Sequence, residues 1–234
     1  MPNPPSRGDA APVAVLRAPS APDDVPVAGL PRLDADRVAR LGRGDALVFD
    51  GLLGADASSA LARELTRDAN ALAPAGIGRD ALRAPDIRGD RTRWVERSES
   101  GAVAPLFALF DHLGVELREK AWLGTREHEV QLAFYPGDGA RYRRHRDALA
   151  AGGRRRATAV YYLNAGWRPS DGGELRIFGA PDREGREYDV APVLDRLVLF
   201  LAEKVEHAVL PCAAPRWAAT AWYLGPVDVP PPKA

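Results

Sequence analysis

Apolar side chains in the first half of the chain recur at helical spacing. One stripe follows steps of four, three and four residues and predicts an amphipathic helix over residues 103–120; its members are Leu106, Phe110, Leu113 and Leu117. Two shorter helices are predicted before it. Asp34 is expected to cap the first, which runs through residue 41, and Asp56 or Ser58 is expected to cap the second.

The second half of the chain has shorter apolar runs, separated by glycine, proline, aspartate or asparagine. Helices followed by many short strands predict an α+β fold that is mainly β, a barrel or double sheet supported by helices on one side. The mouth of such a barrel is a common place for a small ligand. Six runs are predicted to be strands, over residues 130–135, 158–164, 174–178, 196–202, 206–210 and 216–224.

Proline marks both ends of the chain. Residues 1–31 hold eight of the 21 prolines and show little periodic apolar pattern, so we expect a flexible leader there. Residues 227–234 are expected to form a short second tail. A single domain over residues 32–226 remains, which fits a chain of 234 residues.

Composition argues against several classes of function. The chain has 32 basic and 32 acidic residues, which disfavours a protein that lives on a nucleic-acid backbone. Its one cysteine, Cys212, rules out an internal disulfide and a cysteine-rich zinc module. No apolar stretch approaches the roughly 20 residues of a membrane span, and no apolar signal core is evident. We therefore expect a cytoplasmic protein without nucleic-acid or membrane partners; the oligomeric state stays open.

Three residues could bind one metal ion. His145 and Asp147 are two residues apart, so in an extended segment they share a face. His207 lies in the later apolar run and offers a third ligand. Two histidines and one carboxylate with open coordination positions are typical of non-haem Fe(II) oxygenases, although the same groups can also hold zinc. His112 and His128 have no partner in the sequence and are not assigned to this site.

Arg216 follows His207 by nine residues, across a proline-bounded connection that suits a turn between strands. An arginine that opens the returning strand is expected to lie beside the metal-bearing strand. Its guanidinium can bind a carboxylate through two parallel hydrogen bonds, and such charge-assisted bonds contribute about 1.5–3 kcal/mol each. This fourth residue favours an iron enzyme with a carboxylate cosubstrate over a zinc site.

The order of these motifs resembles the 2-oxoglutarate/Fe(II) dioxygenases. The closer likeness is to the prolyl hydroxylases of the EGL-nine type, which sense oxygen in animals and have bacterial relatives. It covers about residues 45–226, and DIRGDRTRW at 86–94 is similar to the start of that family's mobile loop near the substrate. The other segments that carry it are YPGDGARYRRHRD at 135–147, VYYLN at 160–164, GGELRIF at 172–178 and RWAATAWY at 216–223.

The resemblance implies a double-stranded β-helix, a jelly-roll barrel, and it implies roles for residues within it. Fe(II) would be bound by His145, Asp147 and His207. The distal carboxylate of 2-oxoglutarate would be bound by Arg216, with Tyr162 donating its hydroxyl to the same group. O2 is the implied co-reactant and ascorbate a candidate reductant. The remaining residues implied for the cosubstrate pocket are Tyr135, Leu175, Thr220 and Trp222.

The resemblance also implies contacts near the substrate. Arg88 and Asp90 of the 86–94 segment are candidates for the substrate loop. Arg155 belongs to a basic run at 154–156 and is expected to pair with Asp90 as the loop closes.

The activity implied by the resemblance is hydroxylation of a proline in a protein substrate, with release of succinate and CO2. By analogy, a bacterial target could belong to the translation machinery. Two alternatives stay open: a hydroxylase of a free amino acid or natural product on the same iron site, and an inactive barrel that binds peptides. Nothing in the sequence supports loss of activity, because the metal ligands and Arg216 are all present. A nucleic-acid demethylase is disfavoured by the net charge of zero.

Overall fold

A computed structural model of the chain describes residues 14–16, 29–76, 84, 86–148 and 154–226. These residues form three α-helices, Ala35–Arg43 (α1), Ala55–Leu65 (α2) and Ala104–Glu119 (α3). Within the described ranges, no helix is long and apolar enough to cross a membrane. The strands are Ala14–Leu16 (β1), Leu47–Asp50 (β2), Ala73–Pro74 (β3), Arg91–Trp94 (β4), Glu127–Tyr135 (β5), Tyr142–His145 (β6), Arg155–Tyr162 (β7), Leu175–Phe178 (β8), Tyr188–Val190 (β9), Arg196–Leu201 (β10), Glu206–Val209 (β11) and Arg216–Leu224 (β12).

The strands form two sheets that confirm the predicted barrel of α+β class. The major sheet has seven strands in the order β2-β10-β7-β12-β5-β4-β3, and the minor sheet has five in the order β1-β9-β8-β11-β6. Every pair is antiparallel except β1 with β9. From β5 to β12 the chain crosses repeatedly between the two sheets, and only β8 and β9 follow each other within one sheet.

Side-chain alternation along the major sheet separates two cores. One face packs against the helices, and the buried stripe of α3 lies in this helix-side core, as the sequence predicts. The opposite face packs against the minor sheet and forms the interior of the barrel. In β12 the helix-side residues are Trp217, Ala219, Ala221 and Tyr223, whereas Arg216, Ala218, Thr220 and Trp222 face the interior.

The prediction for the start of α1 is confirmed. The Asp34 carboxylate accepts a hydrogen bond from the backbone N–H of Arg37 at 2.9 Å, and the helix ends at Gly44 in the left-handed region, with φ of 101°. These two caps satisfy backbone groups that the short helix itself cannot pair.

The prediction for the start of α2 is wrong. Asp56 lies in the first turn, Ser58 is buried further along, and neither caps the helix. The carboxylate that does so comes from the connection between β9 and β10: Asp195 accepts from the backbone N–H groups of Leu53 at 2.9 Å and Gly54 at 2.8 Å. A cap supplied 141 residues away leaves no local sequence signal.

All six predicted strands are present, with ends that shift by no more than three residues. The six strands that the sequence did not predict have two to four residues each. One of them, β1, lies inside the segment expected to be a flexible leader and pairs with β9 at the edge of the minor sheet. The rest of that segment up to residue 28, and the expected tail at 227–234, lie outside the described residues. The domain boundaries therefore stay predictions.

Candidate metal centre and cosubstrate pocket

A β-bulge brings the first part of the site together. Across the β11–β6 pair, His207 lies opposite His145 and Val209 lies opposite Tyr142, so three steps on β6 match two on β11. The extra residue turns both Tyr142 and His145 toward the interior. Their rings stack with centroids 3.6 Å apart and planes 18° apart.

The structure brings the three predicted metal ligands together. One donor atom from each of His145, Asp147 and His207 lies within 4.8 Å of the other two. His145 Nε2 is 3.5 Å from Asp147 Oδ1, and His207 Nε2 is 3.9 Å from Asp147 Oδ2. Thr158 holds the carboxylate by donating its hydroxyl to Asp147 Oδ2 at 2.7 Å. Within the described ranges, this is the only such group of three His, Cys, Asp or Glu side chains.

Hydrogen bonds behind the ligands set their orientation. His145 Nδ1 lies 2.7 Å from the carbonyl oxygen of Arg143, and His207 Nδ1 lies 3.3 Å from that of Val205. A carbonyl can only accept, so each Nδ1 carries the proton. A ring that carries its one proton at Nδ1 presents a lone pair at Nε2, and in both residues Nε2 faces Asp147, which is the orientation a metal ligand needs.

The protonation states also suit a cation. Burial lowers the pKa of His207 to about 4, against the attraction of Asp147, so this ring is neutral at pH 7. Burial opposes ionisation of Asp147, but the two imidazoles and the Thr158 hydroxyl outweigh it and hold the pKa of the carboxyl well below its usual range. Two imidazole nitrogens and a carboxylate fit Fe(II) with open positions. Cys212 does not belong to this group of donors, and burial raises the pKa of its thiol to about 11.

Arg216 lies at the inner end of β12, opposite Tyr135 of β5, and is 3% exposed. Its guanidinium carbon is 5.0 Å from the ring centroid of Tyr135 and 5.1 Å from that of Tyr162. Its Nε donates to the carbonyl oxygen of Gly173 at 2.7 Å. The planar group is therefore fixed by one hydrogen bond and two rings, with its terminal nitrogens left for an anion.

The hydroxyl of Tyr162 is buried and has no hydrogen-bond partner among the described residues. Burial raises the pKa of Tyr162 against the attraction of Arg216, so the hydroxyl keeps its proton and is a donor. A buried donor without an acceptor costs about 1–3 kcal/mol. A ligand carboxylate bound by Arg216 would supply that acceptor, so the residues present fit a dicarboxylate cosubstrate.

The three metal ligands and Arg216 line one pocket between the sheets. Of the predicted residues, Tyr162 and Arg155 do not line it; Tyr162 lies behind Arg216. Sequence analysis assigns no role to Tyr142, Gln131, Val160 or Thr158, because their positions depend on the bulge and on strand pairing. The predicted residues in the lining are Arg88, Asp90, Tyr135, His145, Asp147, Leu175, His207, Arg216, Thr220 and Trp222.

The expected pair of Arg155 with Asp90 is not formed. Asp90 is buried and accepts from Arg88 Nε at 2.8 Å and Nη2 at 3.0 Å. Arg155 instead donates to Glu129 Oε1 at 3.0 Å and lies over the ring of Trp222, 3.6 Å from its centroid. The partner of Arg155 lies on β5, two strands away across β12, and the partner of Asp90 lies in its own segment. Sequence resemblance does not reveal either choice.

The other two histidines lie outside the pocket. His112 Nε2 is 3.0 Å from the carbonyl oxygen of Pro31, so it ties α3 to the chain before α1. His128 packs among aromatic rings on the helix side of the major sheet, and its Nε2 is 3.9 Å from Asp111.

Comparisons with known proteins agree with this geometry. The profile of the 2OG-Fe(II) oxygenase superfamily matches residues 130–224, which include all three triad residues and Arg216. A prolyl-4-hydroxylase structure from Pseudomonas putida is 38% identical with a TM-score of 0.72, over 81% of this chain and 97% of that one. A prolyl hydroxylase structure from Trichoplax adhaerens, in complex with a hypoxia inducible factor peptide fragment, is 28% identical with a TM-score of 0.72, over 80% and 86%.

A curated human relative, prolyl hydroxylase EGLN3, is 35% identical over 144 residues, which are 59% of this chain. The match spans 59% of that protein, less than two thirds of its length. The bacterial structure is covered almost entirely. The fold is therefore the expected double-stranded β-helix, and the chain belongs to the 2OG-Fe(II) oxygenase superfamily.

Proposed function

We propose that this protein is an Fe(II)- and 2-oxoglutarate-dependent dioxygenase that hydroxylates a proline in a protein substrate. The observation that carries the proposal is the shared pocket, in which the His145, Asp147 and His207 donors and the Arg216 guanidinium meet. The likeness to a prolyl-4-hydroxylase over 97% of that chain supports proline as the target.

In this proposal His145, Asp147 and His207 hold Fe(II), which with 2-oxoglutarate supplies the oxidising power to insert one oxygen atom of O2 into a C–H bond while the other enters succinate. The protein orients the reactants. Thr158 keeps the Asp147 carboxylate turned toward both imidazoles. Arg216 and the Tyr162 hydroxyl bind the far carboxylate of the cosubstrate.

The walls of the pocket divide into an apolar and a polar side. The apolar side includes Val160, Leu175 and Ala218 and excludes water from the cosubstrate. The polar side is built by Arg88, which donates to Asp90 and, at 3.3 Å, to Gln131 Oε1. Fixed donors and acceptors of this kind suit the backbone of a peptide that enters beside the target residue.

Several further elements belong to the same proposal and derive from the sequence alone. They are a partner in the translation machinery, ascorbate as a reductant, and a cytoplasmic location. The roles of Tyr135, Thr220 and Trp222 around the cosubstrate are supported by their positions in the pocket lining.

The test is to follow Fe(II)-dependent succinate formation with host lysate separated into macromolecular and small-molecule fractions. We expect the macromolecular fraction to stimulate turnover, protease treatment to abolish it, and isotopically heavy O2 to label proline in a recovered protein. His207→Ala should abolish labelling, and His112→Ala, which removes an imidazole outside the pocket, should keep it.

Stimulation by the small-molecule fraction alone would overturn the peptidyl substrate and favour a hydroxylase of free metabolites. Full activity of His207→Ala would overturn the metal assignment. Binding of a protein fraction without any succinate would favour an inactive peptide-binding barrel.

A further inference from the structure

Four arginines surround the metal-ligand segment and form what we call the β6 patch: Arg141, Arg143, Arg144 and Arg146. All four are exposed. Outside the metal triad, residues 138–148 contain one carboxylate, Asp138. In a chain with equal numbers of acidic and basic residues, this is a local concentration of positive charge.

The charge of the β6 patch is only partly neutralised within the protein. Arg141 and Arg143 have no ion-pair partner among the described residues. Arg144 and Arg146 share a single carboxylate, Glu206 of β11: Arg144 Nε donates to it at 2.8 Å, and Arg146 Nη2 lies 3.6 Å from it. Asp138 is engaged with the backbone N–H of Ala140 at 3.0 Å.

The bulge in β6 places the β6 patch beside the pocket. It turns Tyr142 and His145 inward, while the arginines beside them remain in solvent. The backbone N–H of Arg143 donates to the carbonyl oxygen of Ile87, and that of Gly89 donates to the carbonyl oxygen of Arg141, both at 2.9 Å. The patch therefore borders the segment that supplies Arg88 and Asp90 to the polar wall. One exposed carboxylate, Asp86, lies in that segment.

We propose that the β6 patch binds a run of carboxylate side chains in the protein substrate, close to the residue that enters the pocket; this deepens the proposed function and rests on it. The six residues from 141 to 146 span about 17 Å of extended chain, which about six extended residues of an acidic run would match. Guanidinium groups suit carboxylates because they bind them in bidentate fashion.

An acidic polypeptide fits the patch better than a nucleic acid does. The positive charge is short and is interrupted by Glu206, whereas a phosphate backbone needs a continuous basic track. The patch also offers no exposed aromatic ring on which a base could stack: Phe178 lies beneath Arg144, and Tyr142 is stacked on His145.

The test compares Arg141→Glu/Arg143→Glu with a control of equal charge change, Arg63→Glu/Arg126→Glu, whose positions lie on α2 and before β5. The probes are two fluorescent proline peptides of matched sequence, one with four aspartates beside the proline and one with asparagines in their place. Anisotropy is measured with Mn(II) and 2-oxoglutarate present. We expect tighter binding of the aspartate peptide by wild type and the control, and about a tenfold loss in the patch variant.

Arg141→Gln/Arg143→Gln should lose part of that affinity, and added salt should erase the preference for aspartate. Equal binding of the two peptides by wild type, including no binding of either, overturns the proposal. The proposal is also overturned if the patch variant loses affinity for 2-oxoglutarate or for a single-stranded oligonucleotide and keeps its affinity for the aspartate peptide. Failure of the proposed function is separate: no protein proline would be labelled in lysate. A labelled protein without nearby acidic residues would overturn the patch alone.

Discussion

Arg216→Lys tests the carboxylate anchor without removing its charge. The guanidinium of Arg216 is held by the Gly173 carbonyl and by the rings of Tyr135 and Tyr162, which leaves its terminal nitrogens to face a ligand. Lysine keeps the positive charge, but its ammonium offers no planar fork and cannot make both parallel bonds. The substitution therefore separates geometry from charge.

The expected magnitude follows from the bonds lost. One of two charge-assisted hydrogen bonds disappears, which costs about 1.5–3 kcal/mol, or roughly 10- to 100-fold in affinity for 2-oxoglutarate. Tyr162→Phe removes the single hydroxyl donor and should cost about tenfold. Because that hydroxyl has no acceptor among the residues that the structure describes, Tyr162→Phe should not lower the free energy of unfolding.

The assay is calorimetric titration of 2-oxoglutarate into the Mn(II)-loaded protein, which measures binding without turnover. Thermal melting of each variant shows whether a loss of affinity reflects the anchor or the fold. If Arg216→Lys binds 2-oxoglutarate as tightly as wild type and melts at the same temperature, another residue anchors the carboxylate. If Tyr162→Phe is the weaker binder of the two, the assignment of the main donor is reversed.

Three further predictions concern the support of the site and fold. Gly173→Ala should weaken 2-oxoglutarate binding at least tenfold in the same titration, because φ of Gly173 is +75° and the added Cβ would lie 2.8 Å from Arg216 Cδ. Gly51→Ala is the control: φ of Gly51 is +68°, the space around it is open, and binding should not change. Asp195→Ala should lower the free energy of unfolding in urea by about 3 kcal/mol, since it removes the carboxylate that caps α2 and accepts the Tyr161 hydroxyl at 2.7 Å; a change under about 1 kcal/mol would contradict these contacts. Burial lowers the pKa of His128, so as pH falls the unfolded chain binds this proton before the folded chain does, and the free energy of unfolding should decrease below about pH 6.5. Urea titrations at several pH values measure this, and His128→Phe should reduce the pH dependence. An unchanged pH dependence in the variant would contradict the prediction.

The parts of the site and fold that could be predicted from sequence are those marked by neighbouring residues or by a periodic pattern of residue types. His145 and Asp147 are neighbours in one segment, and His207 stands out as a polar residue in an apolar run. The stripe of α3 is readable because all four of its predicted members are fully buried on one face. Such patterns survive because burial selects residue types at a fixed period.

What could not be predicted depends on contacts between distant segments. The bulge in β6 shifts one residue against its partner, and no residue type marks it in the sequence. The cap of α2 comes from the connection between β9 and β10, more than a hundred residues away. Arg155 has two acidic candidates, and the choice of Glu129 over Asp90 is set by strand position: Glu129 lies opposite Trp222, on which Arg155 packs.

The register of the β-strands, which core packing specifies, determines where His207 lies in the candidate metal site. His207 stands opposite His145 in one pair and opposite Ile177 in the next, and a slip of one residue would turn it away from Asp147. Ile177 and Phe200 are fully buried, and the Phe200 ring lies 4.7 Å from that of His207. The same packing that specifies the register thus fixes the imidazole. The position of the His207 imidazole, and with it the arrangement of the three candidate metal ligands, therefore depends on apolar residues outside the triad.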